Sequence, residues 1–163
     1  MQVSTHRSYI FFAALAVFPL AVSAEGGLGD LFAVMLKKAS TNLAAGSLSD
    51  PKKVESVLRG VAAEVNPTMP VAIDKDTRLD KIVPGPGAKF TYNYTITTRK
   101  FKEINHTYFI NFLSKNLRVE ACSNADLKIF FENKVTVGYT YKSSDNIHIA
   151  TLDVTPRDCG YPA

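Results

Sequence analysis

The sequence lacks the motifs that would assign it to a catalytic or metal-binding class. Its 163 residues contain two cysteines, Cys122 and Cys159, with no Cys-x-x-Cys pair and no histidine beside either of them. No nucleophile motif accompanies His106 or His148, so we predict that both are surface histidines. We therefore expect no catalytic residue, no cofactor and no metal ligand, and we assign the chain to no enzyme class.

The N-terminal apolar run is too short to cross a membrane. It covers residues 10–20, eleven residues against the ~20 that a spanning helix needs, between a positive start at Arg7 and the small residues Val22-Ser23-Ala24. This order is typical of a secretory signal. We predict a signal peptide over residues 1–24, cleaved after Ala24, and an exported chain without a stable membrane anchor.

A dense tract of positive charge is also absent. Cleavage would leave 139 residues with a formal charge of +3, since residues 1–24 carry Arg7 and no acid. The basic residues are scattered, which disfavours nucleic acid as a partner. A chain of this length buries roughly two thirds of its unfolded surface, so we expect residues 25–163 to form a single domain.

The two cysteines are predicted to pair. An exported chain meets an oxidising compartment, and Cys122 and Cys159 end a predicted helix and follow the last predicted strand. A bridge would enclose 36 residues. By loop-closure entropy it would stabilise the fold by roughly 3 to 4 kcal/mol.

Apolar residues at three- and four-residue spacing predict four helices. The first, over residues 28–45, is treated as semi-independent of the domain. Its stripe contains Leu28, Leu31, Phe32, Met35, Leu36, Ala39 and Leu43. The second helix begins after the Asp50-Pro51 cap and ends at Asn66-Pro67. A third runs from Glu103 to about Val119. Its buried face is predicted to hold Ile104, Tyr108, Phe109, Phe112 and Leu113. A short fourth helix is capped by Ser123 or Asn124 and stops at Asn133.

Period-two alternation predicts the strands. Aromatic residues alternate with threonine and asparagine in Phe90–Ile96, and Val135–Tyr141 repeats the pattern. A run from Ile147 to Val154 completes a hairpin and requires a bulge near Ala150. The charged stretch Asp74–Val83 is predicted to be a solvated edge strand. Together these elements predict an α+β fold, a four-stranded antiparallel sheet with helices packed on one face and one disulfide.

Several segments resemble those of small exported, largely uncharacterised envelope or periplasmic proteins of Gram-negative bacteria. The similarity spans about residues 67–160. The segments that carry it are Thr77-Arg78-Leu79-Asp80, Gly85-Pro86-Gly87, Phe90-Thr91-Tyr92-Asn93-Tyr94, Ala121-Cys122, Val135-Thr136-Val137-Gly138-Tyr139-Thr140-Tyr141 and Asp153-Val154-Thr155-Pro156-Arg157-Asp158-Cys159. The resemblance implies an envelope location and the same single-domain shape, but no catalytic residue and no ligand.

These features favour a small periplasmic or secreted protein that binds a protein partner in the cell envelope, as an inhibitor, an immunity factor or an accessory of envelope assembly or secretion. The predicted partner contacts are Leu31, Phe32 and Met35 on the first helix and Arg78 in the charged stretch. Two alternatives stay open, a small periplasmic hydrolase with a site built from distant residues and a small-ligand carrier with an apolar pocket.

Overall fold

The computed structural model describes residues 50–162, so the predicted signal peptide and the predicted helix over residues 28–45 lie outside the described residues. Within the described part, the α-helices are α1 (Pro51–Val65), α2 (His106–Ser123) and α3 (Ala125–Glu132). The strands are β1 (Val71–Ala72), β2 (Thr77–Gly85), β3 (Lys89–Ile96), β4 (Thr136–Lys142) and β5 (His148–Val154). None of these helices has the length and apolar character needed to cross a membrane.

Helix α1 follows the predicted signals. The Asp50 carboxylate accepts a hydrogen bond from the Lys52 backbone N–H at 2.9 Å, and Pro51 occupies the first turn. The α-helix ends at Val65 and passes into a 3₁₀ helix over Asn66–Thr68, because Pro67 has no N–H to donate to the helix. The Asn66 side chain then pairs with both backbone groups of Ile82 at 2.8 Å, which fixes α1 to β2.

The sheet has five strands and is mixed, so the prediction of four antiparallel strands is wrong. Its order is β1-β2-β3-β4-β5, and β3 pairs with β4 in parallel while the other neighbours are antiparallel. After Ile96 the chain passes through α2 and α3, which return it to the end of the sheet where β3 began. A strand that starts at that end lies parallel to β3.

The charged stretch begins with a turn rather than a strand. The Asp74 Oδ1 atom accepts hydrogen bonds from the backbone N–H groups of Asp76 and Thr77, both at 2.7 Å. Aspartate readily makes such turns because its side chain can satisfy nearby backbone donors. The predicted edge strand over Asp74–Val83 therefore begins only at Thr77, and it is wrong as an edge because β2 lies between β1 and β3.

The last hairpin contains the predicted bulge. Tyr141 pairs with Ala150 and Lys142 pairs with His148, which leaves Ile149 as the extra residue on β5. This confirms the prediction that one alternation cannot hold from Ile147 to Val154. The bulge lets Ile149 and Ala150 both be buried.

The core lies on one face of the sheet, as predicted. Tyr92 stacks on Tyr139 with ring centroids 5.8 Å apart, and Tyr94 stacks on Tyr141 at 5.1 Å. The fully buried side chains around them include Leu58, Leu79, Ile82, Phe90, Phe130, Val135 and Val137. Helix α1 packs on β2, α2 on β5 and α3 on β4. Strand β3 lies between the strands that carry α1 and α3, and its Phe90 stacks on Phe130 of α3 with ring centroids 5.7 Å apart.

The disulfide joins the pair that the sequence predicts. Cys122 near the end of α2 is bonded to Cys159, the last residue of a 3₁₀ helix over Pro156–Cys159, with the Cα atoms 5.1 Å apart. Beside it, Arg118 Nε lies 3.3 Å from Asp158 Oδ1. Helix α2 is thus tied to the segment that follows β5.

Candidate protein-binding surface

Helix α2 carries exposed apolar side chains along one flank. Tyr108 is 58% exposed and Val119 is 69% exposed. Phe112 lies between them and is half-buried, with its ring 6.1 Å from that of Tyr108. The spacing of four and then seven residues places the three side chains on one side of the helix. We call Tyr108, Phe112 and Val119 the aromatic flank.

An open recess adjoins the N-terminal half of the aromatic flank. It is lined by Asn105, Thr107, Tyr108, Asn111 and Phe112. Amide, hydroxyl and ring groups therefore alternate along this part of the helix. A surface of this kind offers apolar contact together with hydrogen-bond donors and acceptors.

The sequence pattern placed part of this flank in the core, and the structure corrects that placement. The buried face of α2 is centred on Leu113, which is 3% exposed, and on Phe109, whose ring meets Tyr141 edge-on at 5.5 Å. Tyr108 precedes Phe109 by one residue and so points about 100° away from it. The apolar residues of α2 cover more than one face, and spacing alone cannot say which of them are buried.

The start of α2 also differs from the prediction. The side chain of Asn105 caps the helix by accepting a hydrogen bond from the Tyr108 N–H at 3.1 Å. Glu103 instead closes a 3₁₀ turn with Lys100, whose N–H donates to Glu103 Oε2 at 2.8 Å. The helix therefore begins at His106, and Tyr108 lies in its first turn.

The C-terminal part of α2 is held in place. Arg118 and Cys122 contact the C-terminal 3₁₀ helix through the ion pair with Asp158 and through the disulfide. Val119 follows Arg118 by one residue and so points about 100° away from it. The aromatic flank is thus presented by a helix whose C-terminal part is anchored.

The tyrosines of β4 are uncharged at neutral pH. Burial raises the pKa of Tyr139 and of Tyr141 well above the ordinary range, and the charge of Glu120 adds to the effect. Burial also raises the pKa of Glu120 itself. These tyrosines therefore keep their hydroxyl protons at any physiological pH.

Arg78 lies on the other face of the sheet from the helices. Its Nε atom is 2.6 Å from Asp80 Oδ1, and the other oxygen of Asp80 accepts a hydrogen bond from the Thr95 hydroxyl. The pairing of β2 with β3 shifts between Leu79 and Lys81, so Asp80 is the extra residue of a bulge. The structure does not bring Arg78 to the aromatic flank. The other predicted contacts, Leu31, Phe32 and Met35, lie outside the described residues.

His106 and His148 differ in their exposure to solvent. His148 is exposed, as predicted, and its Nε2 atom lies 2.9 Å from Thr151 Oγ1. His106 is half-buried, with its ring 4.1 Å from that of Phe101 and with Nε2 buried and unbonded, so the surface prediction is wrong for it. Within residues 50–162, no group of three His, Cys, Asp or Glu side chains could hold a metal ion.

The polar face of the sheet is a second candidate surface. Thr91, Asn93, Thr95 and Thr140 are partly exposed there, between aromatic residues that face the core. The hydroxyls of Thr140 and Thr151 lie 3.1 Å apart. The hydroxyls of these short side chains satisfy one another in part.

Comparison with known proteins finds similarity in fold. No protein-family model matches the chain, and no curated protein matches its sequence. A solved structure of a presumed secreted protein of Pseudomonas aeruginosa matches with a TM-score of 0.55 and 17% identity, over 67% of this chain and 95% of that chain.

Two solved structures of pilotins from type II secretion systems match to a similar degree. EpsS of Vibrio vulnificus gives a TM-score of 0.53 and 12% identity, over 69% of this chain and 96% of the pilotin. AspS of Vibrio cholerae gives 0.51 and 11%, over 67% and 94%. At these identities the chain shares its α+β fold with a presumed secreted protein and two pilotins of Gram-negative bacteria.

Proposed function

We propose that this protein is an exported accessory protein of the Gram-negative cell envelope and that it acts by binding a protein partner. The similarity of its fold to two pilotins and to a presumed secreted protein covers almost the whole length of each of those proteins. The Cys122–Cys159 disulfide supports export, because such bonds persist in oxidising compartments. Binding, rather than chemistry on a substrate, is the activity that we assign.

The observation that carries this proposal is the aromatic flank. Tyr108 and Val119 are the two most exposed large apolar side chains among the described residues. Tyrosine and phenylalanine are enriched at protein interfaces, because a large apolar ring gains much from leaving water. The flank belongs to a helix that the disulfide anchors, so little ordering of the backbone is needed on binding.

The sequence also predicts contacts outside the aromatic flank, of which Arg78 marks an alternative surface. Arg78 is 44% exposed at its side chain and could reach a partner only from the polar face of the sheet. Leu31, Phe32 and Met35 are proposed to act through the apolar stripe of residues 28–45. The aromatic flank and Arg78 lie on different faces, so variants can separate them.

Capture from envelope extract tests the proposal with matched variants. The immobilised exported chain is compared with Tyr108→Glu, which places a charge on the flank and suits the first turn of a helix. Ile147→Glu is the control, because Ile147 is a 45% exposed apolar residue outside α2. Arg78→Ala tests the polar face.

The proposal expects a protein that is retained by the wild type and by Ile147→Glu but lost with Tyr108→Glu. Circular dichroism and melting temperature confirm that each variant is folded. A protein lost only with Arg78→Ala would move the binding surface to the polar face. Equal retention by all variants would contradict the assigned surface.

A further inference from the structure

Lys115 lies on the same side of α2 as the aromatic flank. It follows Tyr108 by seven residues and precedes Val119 by four, and residues at these intervals are neighbours on one side of a helix. Asn111 comes one turn before Lys115 and lines the recess that adjoins Tyr108. The side chains of Asn111 and Lys115 are both exposed. An amide and a cationic group are therefore adjacent to the apolar side chains that we assign to the partner.

Asn111 and Lys115 differ from other polar residues of α2 in having no bonding partner. The Ser114 hydroxyl donates a hydrogen bond to the carbonyl four residues earlier at 2.6 Å, and the Asn116 amide does the same at 2.8 Å. Arg118 is held in its ion pair with the C-terminal 3₁₀ helix. Within residues 50–162, the side chains of Asn111 and Lys115 make no hydrogen bond and no ion pair. Both are thus available to a ligand.

The charge of this part of the chain is positive. Residues 99–123, which comprise α2 and the turn before it, contain five basic and two acidic residues. The Glu103 carboxylate accepts a hydrogen bond from the Lys100 N–H. Glu120 is half-buried and points about 140° away from Lys115 around the helix. Neither acid pairs with Lys115, so the aromatic flank presents a positive charge that no residue of this segment neutralises.

We propose that the partner segment that binds the aromatic flank is acidic and places a carboxylate on Lys115 and Asn111. The Lys115 ammonium and the Asn111 amide are both donors, and one carboxylate has acceptor sites for both. Large apolar side chains of the same segment cover the rings of Tyr108 and Phe112 and the methyl groups of Val119. This proposal rests on the proposed function and adds the chemistry of the partner's contact.

An anionic membrane is the other class of ligand that a lysine beside aromatic residues would suit. Recognition of anionic lipids typically uses clusters of about four to eight lysine and arginine residues. Lys115 is the one lysine of α2. Asn105, Thr107 and Asn111 line the recess beside it and offer directional hydrogen-bonding groups. These groups favour a protein segment, in which a carboxylate and apolar side chains have a defined spacing.

Selection of binders from a phage-displayed library of random peptides tests the proposal. Peptides selected on the immobilised exported chain are measured by fluorescence polarisation, and those that bind Tyr108→Ala more weakly than the wild type are the flank binders. We expect the flank binders to combine an aspartate or glutamate with large apolar residues. Lys115→Glu should weaken their binding at least about tenfold, because a charge-assisted hydrogen bond is lost. The control Lys81→Glu, at an exposed lysine outside α2, should leave their affinity unchanged.

A charge swap separates a direct contact from a general effect of charge. Replacing the acid of a flank binder with lysine should weaken its binding to the wild type and restore its binding to Lys115→Glu. Asn111→Ala should weaken the acidic peptide more than the same peptide with the acid changed to its amide. Circular dichroism and melting temperature confirm that each variant is folded, and every substituted position is exposed.

Sedimentation with vesicles of phosphatidylglycerol and phosphatidylethanolamine tests the membrane alternative. We expect the exported chain to remain in the supernatant. Binding to the vesicles that Lys115→Glu abolishes would make an anionic lipid headgroup the ligand and would overturn the proposal.

The peptide experiment distinguishes failure of this proposal from failure of the proposed function. Flank binders that lack an acid, or a charge swap that does not restore binding, would overturn the proposal and leave the aromatic flank as the binding surface. Selected peptides that all tolerate Tyr108→Ala would overturn the assigned surface itself, and this proposal with it.

Discussion

Lys89 and Asp153 form an ion pair across a strand that lies between them. Lys89 Nζ on β3 is 2.6 Å from Asp153 Oδ2 on β5, and the two side chains meet over Gly138 of β4. A Cβ atom at position 138 would lie 2.8 Å from Thr91 Oγ1 and 3.0 Å from Lys89 Cε. A Cβ atom at this position would therefore fit only if the side chains of Thr91 and Lys89 shifted.

Replacing Gly138 with alanine is predicted to destabilise the domain. We expect Gly138→Ala to lower the free energy of unfolding by about 1 to 3 kcal/mol, the usual cost of overpacking, as measured by urea denaturation. Gly60→Ala is the matched control, because Gly60 lies in α1 with open space around it. Alanine there is expected to raise the unfolding free energy by up to about 1 kcal/mol. Equal effects of the two substitutions would contradict this account of Gly138.

The Cys122–Cys159 bond is predicted to supply a large part of the stability. Its cysteines are 37 positions apart, so the double variant Cys122→Ser/Cys159→Ser should lose roughly 3 to 4 kcal/mol of unfolding free energy. Chemical denaturation with and without reductant measures this loss. Reduction should destabilise the wild type and leave the double variant unchanged. A wild type that is as stable after verified reduction as before it would refute the prediction.

Asp158 is predicted to couple stability to acid pH. Hydrogen bonds from the Thr155 backbone N–H and hydroxyl lower the pKa of Asp158, and Arg118 adds to the effect. A lowered pKa in the folded state means that the stabilisation is present above the ordinary aspartate value and is lost as pH falls through the folded-state value. We expect Asp158→Ala to cost about 0.5 to 1 kcal/mol at pH 7, as for other helix caps.

Melting curves from pH 7 down to pH 2 check the sign. The difference in melting temperature between the wild type and Asp158→Ala should shrink as the pH falls. Arg157→Ala is the control, since Arg157 is exposed in the same 3₁₀ helix. A difference in melting temperature that stays constant with pH would show that the charge of the Asp158 carboxylate does not contribute to stability.

Export is predicted to remove residues 1–24. The apolar run over residues 10–20 and the Val22-Ser23-Ala24 site set the cleavage position. The intact mass of protein recovered from the periplasm or the medium should correspond to residues 25–163. A mass that includes Met1 to Ala24 would refute cleavage, and Ala24→Leu should block it if the small residue is recognised.

Local elements could be predicted from the sequence because their signals are local. The Asp50-Pro51 cap and the Asn124 cap each act through neighbouring backbone groups, and the structure shows both. The apolar residues of the last strand also shift from odd positions at Ile149 to even positions at Leu152, so one strict alternation cannot bury both, and a bulge was required. Such features depend on little beyond the residues that form them.

The strand order and the exposed flank could not be read in the same way. Alternation in β3 and β4 shows which side chains are buried but not which strand lies beside which. The long connection from Ile96 to Thr136 was the available signal for a parallel pair. Strand β1 has only two residues, which is too few to show an alternation of buried and exposed side chains. Tyr108 is an aromatic residue like its half-buried neighbour Phe109, and only the direction in which the helix packs decides which of the two faces the core.

The central claim, that the aromatic flank binds a protein partner, is tested most directly by photo-cross-linking in living cells. A p-benzoylphenylalanine residue is placed at Val119, at Ile147 and at Arg78 in separate strains that export the protein. The account predicts an adduct with a second protein from position 119 and none from positions 147 and 78. Adducts from position 78 without one from position 119, or no adduct from position 119 at all, would contradict it.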